Sequence, residues 1–499
     1  MKHLPILRSL CLFVLLTPLV GGQETTVPRG VAKDADLPRA YDLRKVEGVT
    51  PIKQQLGGTC WTHGTVAAIE SNLLVTGTWK KLGGQGIPAF SEYHLDWWNG
   101  FNKHRNDDVE DPAKQQTGLT VHQGGDYRVA AAYISRGDGV VPAPFTEMKT
   151  ADTTSWYKNI PDRSSPEYKR FYVRDIEWFV MGDNLENIDT IKTRLVREGA
   201  LGTAFAVNKG LMAKDFVHYQ PANHPAKPNH AVAIAGWDDD KVTSDSDKKF
   251  AKPGCWLIKN SWGLKNAKTG KPSGVDGYYW ISYYDKVCCR DPEMGAVSFR
   301  NVEPMKYGHV YFHDYHGWRD TLKDITKAFN VFTATSNHHL SAVSFYTTAD
   351  NVAYTAKIYN KFDKGELQGL SATKTGAIRY TGFHTVDLDL PVVVMKGETF
   401  IVCLELSHGG QAIDRTSEIT VLLTQPDPKK AEAKQPDKKG VPKGNPIVIS
   451  KANPGESYYF DGKAWVDLYE YRFTNPTWGV FDRTANFCMK ALAVDADKK

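Results

Sequence analysis

The stretch GGTCWTHG, residues 57–64, places a single cysteine between a glycine turn and a segment with helical character. The following residues, TVAAIESNLLVTG (65–77), carry apolar side chains at helical spacing and stop at a glycine, which predicts a helix over residues 60–76. A thiol at the start of a helix lies at the positive end of the helix dipole, which favours the thiolate. Cys60 is therefore a candidate nucleophile; the alternatives are half of a disulfide and a buried structural thiol.

Two later segments supply the other groups that thiolate chemistry needs. NHAVAIAGW (229–237) and CWLIKNSW (255–262) are predicted to be buried strands, with His230 near the start of the first and Asn260 near the end of the second. A nucleophilic thiol works with an imidazole that a third group orients. We expect one ring nitrogen of His230 to face the sulfur while Asn260 holds the other, and Trp262 to shield that hydrogen bond from water.

Two glutamines precede the cysteine in PIKQQLGG (51–58). A side-chain amide at this place can donate a hydrogen bond to a developing oxyanion, beside the backbone N–H of Cys60. Gln54 and Gln55 are both candidates for this role.

The bulk composition is that of a soluble globular protein with room for two or three domains: 499 residues, 41% hydrophobic and 24% charged. The formal net charge is +5. Without residues 1–22 it falls to about +3, which is too small to indicate a nucleic-acid or anionic-membrane partner.

The N-terminal residues 1–22 have the pattern of a secretory signal: a basic start, an apolar run from Leu10 to Val20, then Gly21 and Gly22. The run is about half of the roughly 20 apolar residues that a membrane span needs. We therefore expect an exported protein, secreted, periplasmic or at the cell surface, with no transmembrane segment. A short polar segment, residues 23–36, follows.

The rest of the chain divides by pattern into two predicted domains. Residues 37–300 mix helical and strand patterns, including a predicted helix within DYRVAAAYISRGDG (126–139). Residues 301–499 show short strand-like runs separated by turns, which predicts an all-β sandwich. Within it, residues 426–444 are rich in Pro, Lys and Gly and are predicted to be a disordered insertion.

Several spaced motifs together resemble the papain-like cysteine peptidases. They are VTPIKQQLGGTCW (49–61), NHAVAIAGW and IKNSWG (258–263), supported by DLPRAYDLR (36–44) and FSEYHL (90–95). The order Cys, His, Asn is the order of that family. The resemblance covers roughly residues 36–300. It implies a two-lobed α+β fold, one lobe helical and one β-barrel-like, with peptide hydrolysis through a thioester in the cleft between the lobes.

The resemblance also implies substrate-binding residues and exposes departures from the family pattern. Gly124 and Gly125 resemble the family's backbone-binding strand, although a tight turn is an equal alternative, and Trp262 is counted among the substrate-binding residues. Gly57 stands where the family has a cysteine, and the segment from Lys53 to Cys60 is one residue short. Counting forward makes Gln55 the oxyanion donor, which we favour because a glycine turn absorbs a deletion more easily than a strand. Counting back from the cysteine makes it Gln54.

Four histidines and the segment before DLPR need separate interpretation. His63 follows the nucleophile by three places and is expected to be a hydrogen-bonded core histidine. His309, His313 and His316 are expected to be scattered surface histidines rather than metal ligands. The residues between the predicted signal and DLPR are too few for the family's long inhibitory prosegment, so either latency is achieved in another way or the enzyme is made active.

Residues from about 305 to 494 resemble the lectin-like domain that follows the peptidase in some secreted bacterial proteins, through AVSFYTT and GETFIVCLELS among others. This resemblance implies a β-sandwich that binds glycans or the cell envelope, with no sugar-contacting residue assigned. The sequence thus predicts a secreted cysteine peptidase acting on peptides or proteins, without metal or cofactor. The alternative is a catalytically silent or glycan-binding protein. The pairing of the six cysteines after the signal stays open.

Overall fold

A computed structural model describes residues 37–111, 115, 117–143, 159–243, 252–265, 270–423, 445–474 and 481–496. The predicted signal segment 1–22, the polar segment 23–36 and the predicted insertion 426–444 lie outside these ranges. None of the helices within the ranges is both long enough and apolar enough to span a bilayer.

The α-helices of the described residues lie in the first half of the chain. They are α1 (Cys60–Val75), α2 (Thr78–Lys81), α3 (Glu92–Trp98), α4 (Tyr127–Ser135) and α5 (Ile188–Glu198). The predicted helix over residues 60–76 is confirmed as α1, and the predicted helix within 126–139 as α4. Helix α1 is buried from Cys60 to Leu73 on all its faces, as expected of a central helix that other elements surround. Asp126 directly precedes helix α4, and its side chain accepts the N–H of Val129 and caps the helix.

The strands up to Pro304 form most of one large sheet. They are β1 (Ala40–Asp42), β2 (Phe171–Phe179), β3 (Leu201–Phe205), β4 (Val217–His218), β5 (His230–Asp238), β6 (Cys255–Lys259), β7 (Tyr278–Ser282) and β8 (Ala296–Pro304). Their order is β4-β7-β6-β5-β3-β8-β2, and β1 also pairs with β5. The two predicted strands that carry the site residues are confirmed as β5 and β6, which are antiparallel neighbours. This pairing brings the start of β5 close to the end of β6.

The second half is built of strands without an α-helix among its described residues. The strands are β9 (His309–Tyr311), β10 (Asp320–Leu322), β11 (Lys327–Thr333), β12 (His338–Thr347), β13 (Val352–Asp363), β14 (Glu366–Ile378), β15 (Gly382–Val394), β16 (Thr399–Leu406), β17 (Gln411–Asp414), β18 (Ser417–Glu418), β19 (Ile447–Val448), β20 (Ser457–Phe460), β21 (Trp465–Asp467), β22 (Asn486–Phe487) and β23 (Met489–Asp495). A six-stranded sheet has the order β14-β13-β16-β11-β20-β21. Its apolar side chains share one core with those of β12, β15 and β23, which makes this half a β-sandwich.

One sheet runs through both halves of the chain. Strand β2 pairs with β15 through Gly382–Glu177, Phe383–Ile176 and His384–Asp175, and β12, β23 and β9 extend the sheet further. Strand β8 spans residues on both sides of the predicted boundary at residue 300. The boundary stays a prediction, and the hydrogen-bonded sheet joins the two predicted domains across it.

Candidate active site

Cys60 is the first residue of α1, and its side chain is fully buried. Its Sγ accepts the backbone N–H of Ala231 at 3.5 Å and donates to the carbonyl oxygen of Leu422 at 3.7 Å. Ala231 follows His230 at the start of β5. The fold therefore holds the sulfur at the N-terminus of the central helix, against the strand that carries the histidine.

His230 has one ring nitrogen bonded and one without a hydrogen bond. Its Nε2 donates to Oδ1 of Asn260 at 2.9 Å, while Nδ1 is buried and has no hydrogen-bond partner among the described residues. Burial lowers the pKa of His230 to about 4, against a smaller opposing effect of the Asn260 hydrogen bond. Near neutral pH the ring is thus neutral, protonated at Nε2, with a lone pair at Nδ1 that can accept a proton.

Trp262 lies flat against the histidine ring. The two ring centroids are 4.6 Å apart and the planes meet at 30°. The backbone of Trp262 forms a β-bridge with Gln54, which connects the segment after β6 to the segment before α1. This places the indole beside the His230–Asn260 pair.

The two glutamines differ in what they contact. The buried Gln55 accepts the hydroxyl of Ser261 at Oε1, at 2.6 Å, and donates from Nε2 to the carbonyl of Gly57 at 2.8 Å. Because Ser261 fixes the oxygen end of this amide, the NH2 end faces the turn that leads to Cys60. Gln54 instead donates to the carbonyl of Gln55 at 3.1 Å and lies against Gly263.

Gly124 and Gly125 lie beside the turn that precedes the cysteine. The N–H of Gly124 donates to the carbonyl of Gly58 at 3.0 Å. Gly124 has φ +94, which favours glycine, and a Cβ on Gly125 would come within 2.6 Å of the Trp61 ring. The two glycines therefore form a backbone edge at the site, where a side chain would not fit.

His63 is buried, and its Nδ1 donates to the carbonyl of Thr59 at 2.8 Å, so the prediction of a core histidine is confirmed.

Sequence reasoning missed a buried ion network near His63. Lys53 Nζ lies 2.7 Å from a carboxylate oxygen of Glu70 and 2.7 Å from one of Glu92. Burial alone would raise the pKa of Glu92, but the Lys53 charge lowers it overall. The available signal was Glu70, an acid in the middle of the apolar α1 pattern.

His316 is buried, so the prediction of a surface histidine is wrong at this position. The reason is that its ring is bonded within the fold, by Nε2 to the Gly100 carbonyl at 3.2 Å and by Nδ1 to the Ser450 hydroxyl at 2.9 Å. With Asp108 and Asp414 it forms a group whose possible ligand atoms all lie within 4.8 Å of one another. A metal would have to displace those existing partners of the imidazole.

The cysteines form no disulfide within the described residues. Cys288 and Cys289 are adjacent and buried, with their sulfur atoms 3.8 Å apart, so the vicinal pairing that the sequence left open is not formed. Burial raises the pKa of Cys255 and of Cys403 to about 12. Such thiols are poor nucleophiles near neutral pH.

Two family models match parts of the chain. The family model "Papain family cysteine protease" matches residues 116–294, and the model "Lectin like domain" matches residues 310–422. The first match includes His230 and Asn260, and Cys60 lies before it. The chain thus carries a cysteine peptidase domain of the papain family together with a lectin-like domain.

Curated relatives are cysteine proteases of modest identity. Bovine pro-cathepsin H is 25% identical over 258 residues, which are 50% of this chain and 62% of that protein. Zingipain-2 of Zingiber officinale is 25% identical over 246 residues, 47% of this chain and 86% of that protein. The chain therefore spans less than two thirds of the length of bovine pro-cathepsin H.

A solved structure shares the architecture over most of its length. It contains the cysteine protease and lectin-like domains of Cwp84, a surface layer associated protein of Clostridium difficile. The TM-score is 0.63 at 22% identity, and the match covers 92% of this chain and 89% of that chain. The expected fold, a papain-like α+β peptidase with an all-β lectin-like domain, is confirmed.

Proposed function

We propose that the protein is a secreted peptidase that hydrolyses peptide bonds with Cys60 as nucleophile, His230 as general base and acid, and Asn260 as the group that orients the imidazole. The observation that carries this proposal is the asymmetry of the His230 ring. Asn260 holds Nε2, while Nδ1 is buried and has no hydrogen bond in the described structure. The next residue along the strand, Ala231, donates its backbone N–H to the Cys60 sulfur.

The reaction uses these groups in sequence. The Cys60 thiol gives its proton to Nδ1 of His230, and the thiolate attacks the carbonyl carbon of the peptide bond. The imidazolium then protonates the leaving amine, and a thioester remains on Cys60. Water attacks the thioester while His230 takes one of its protons. The carboxylic acid leaves, and the proton returns to the sulfur.

Gln55 is the amide that we assign to the oxyanion, together with the backbone N–H of Cys60. Ser261 fixes the orientation of the Gln55 amide, and its NH2 end lies at the turn before the nucleophile. Removal of one oxyanion donor costs about 10²–10³ in kcat. We expect a loss of this order for Gln55→Ala and a much smaller one for Gln54→Ala, the matched control. The reverse order would assign the role to Gln54.

Gly124 and Gly125 are proposed to bind the backbone of the substrate. The backbone of Gly125 already pairs with another segment of this chain, because the N–H of Leu422 donates to the Gly125 carbonyl at 3.1 Å. A peptide in the same register would bring its carbonyl groups close to Cys60. Trp262 is proposed to act through His230, on which its ring is stacked, rather than through direct contact with a peptide.

Secretion and envelope binding complete the proposal. Residues 1–22 have the pattern of an export signal, and we expect the exported protein to begin near Gln23, which N-terminal sequencing checks. The lectin-like domain is proposed to bind glycans or the cell envelope, supported by the match over residues 310–422. Retention of full-length Cys60→Ala protein on immobilised cell-wall polysaccharide tests this, and failure to bind any polysaccharide would contradict it.

The catalytic assignment is tested with an epoxysuccinyl-peptide inhibitor and mass spectrometry. We expect one adduct per chain, on Cys60, and loss of this adduct in His230→Ala. Hydrolysis of a denatured protein substrate should disappear in Cys60→Ala and persist in Cys403→Ala, which changes a buried thiol in β16. Hydrolysis that persists in Cys60→Ala would overturn the assignment.

A further inference from the structure

The cleft at Cys60 contains a segment of the same chain. Residues 421–423 come shortly after strand β18, which pairs with β19, and run beside the glycine edge of the site. Leu422 forms an antiparallel bridge with Gly125, with its N–H donating to the Gly125 carbonyl at 3.1 Å. Its own carbonyl oxygen lies 3.7 Å from the Cys60 sulfur. The strand therefore occupies the place where the proposed mechanism puts a substrate backbone.

Side chains of this strand fill the space around the nucleophile. Leu422 is 0% exposed and belongs to the same apolar core as Cys60 and Trp61. A Cβ on Gly124 would come within 2.4 Å of Val421, and one on Gly58 within 2.6 Å of Leu423. The side chains thus pack directly against the backbone edges on both sides of the site, and Cys60 has no exposed surface.

The residues before the strand hold it in position. The Ile419 N–H donates to the carbonyl of Pro446 at 3.0 Å, and the Thr420 hydroxyl donates to Glu293 at 2.9 Å. The strand itself is tied to the cleft by the Leu422–Gly125 hydrogen bond and by apolar packing. The residues before the strand are thus held by hydrogen bonds outside the cleft, so the strand could leave the cleft while they stay attached to the domain.

We propose that residues 421–423 are an internal, substrate-like strand that covers Cys60 and keeps the peptidase latent until the strand leaves the cleft. The part of this proposal that concerns latency rests on the function proposed above. The part that concerns coverage of the thiol does not, and it can be tested without an activity assay.

The first test follows alkylation of Cys60 in the full-length chain. Native protein is treated with iodoacetamide, and modification of each cysteine is followed in time by mass spectrometry. Leu422→Asp places a carboxylate in a position that excludes water, so we expect the strand to leave and Cys60 to react at least about tenfold faster than in wild type. The matched control is Leu390→Asp, because Leu390 is 78% exposed and the same substitution should change nothing. Equal Cys60 rates in wild type and Leu422→Asp overturn the proposal.

A second test uses the wild-type sequence and so does not depend on a variant that folds. Hydrogen exchange of residues 419–423 is compared before and after Cys60 has been carbamidomethylated. The added group takes up space at the sulfur, so we expect the Leu422 amide to lose its protection. A Leu422 amide that stays equally protected after alkylation would show that the strand does not compete for the space at the sulfur, and the proposal would fall.

Hydrolysis of a peptide substrate separates this inference from the proposed function. Latency predicts that Leu422→Asp hydrolyses faster than wild type, and that a synthetic peptide of residues 419–423 (ITVLL) inhibits the variant. Wild type and variant that hydrolyse equally fast overturn latency. A variant whose Cys60 alkylates rapidly but which hydrolyses no peptide supports the coverage of the thiol and contradicts the peptidase function instead.

Discussion

Two buried histidines, His230 and His316, differ in how many of their ring nitrogens are hydrogen-bonded. The His230 site consists of Cys60, His230 and Asn260, and the His316 cluster of Asp108, His316, Asp414 and Ser450. Burial lowers the pKa of both imidazoles, to about 4 in His230 and well below the ordinary range in His316. Only the His316 ring has hydrogen-bond partners on both nitrogens, whereas Nδ1 of His230 has none in the described structure.

The difference follows from the chemistry of an imidazole. A ring bonded on both sides fixes two chain segments to each other, and loss of either bond leaves a buried polar group unsatisfied. A ring bonded on one side is oriented but keeps a lone pair for proton transfer. We therefore expect changes at the His230 site to reduce catalysis, and changes in the His316 cluster to reduce stability.

The largest expected effect is on His230→Ala. Loss of the general base should lower kcat/KM by about a thousandfold, within the range of general acid–base contributions. The measurement is peptide hydrolysis by full-length protein, in wild-type and Leu422→Asp chains, with the unfolding midpoint as the test of folding. His316→Ala is the matched control and should keep kcat/KM within a small factor. Equal losses of kcat/KM in the two variants would contradict the different roles assigned to His230 and His316.

The next largest effect is expected for His316→Ala, and it is a loss of folding stability. The variant leaves the Gly100 carbonyl and the Ser450 hydroxyl without their ring partner and creates a cavity next to Phe101, whose ring centroid is 4.7 Å from that of His316. We expect the free energy of unfolding to fall by about 2–4 kcal/mol. Urea denaturation followed by tryptophan fluorescence measures this, and an unchanged midpoint would contradict a structural role.

A smaller effect is expected for Asn260→Ala. Loss of its hydrogen bond frees the imidazole to rotate, which should lower kcat by about ten- to a hundredfold, equivalent to about 1.4–2.7 kcal/mol. This hydrogen bond also raises the pKa of His230 against the larger effect of burial. The acidic limb of the pH–rate profile should therefore move to lower pH in the variant. Ser450→Ala, which changes a hydrogen-bond partner of His316, should leave this limb where it is.

The smallest expected effect, taken per pH unit, is a pH dependence of stability that comes from the His316 cluster. Burial raises the pKa of Asp414 to about 7 from its ordinary value of 3.8, so the folded state binds the proton more tightly than the unfolded chain. This contribution is fully present below about pH 4 and is lost as the pH rises through about 7. One group contributes at most about 1.4 kcal/mol per pH unit in that window. Unfolding free energies between pH 4 and 8 should decline less in Asp414→Asn, and identical profiles would contradict the prediction.

The sequence was sufficient for features that depend on local pattern. Apolar spacing and the glycine stop predict α1, and the apolar runs predict β5 and β6 with His230 and Asn260 near their ends. It was insufficient for pairings between distant residues. The Ser261–Gln55 hydrogen bond, which distinguishes the two glutamines, joins residues 206 positions apart, and no periodicity reports such a contact.

The sequence by itself determined which residue types could serve as nucleophile, base and orienting group, because their order and surroundings follow a known family pattern. The tertiary structure decided which atoms meet. It placed the Leu422 carbonyl, 362 positions away, against the Cys60 sulfur, buried His316 within a polar cluster, and carried one sheet from β2 into β15. The physical reason is that hydrogen bonds and apolar packing between distant segments depend on the summed geometry of every element between them, whereas helix and strand patterns depend on neighbours only.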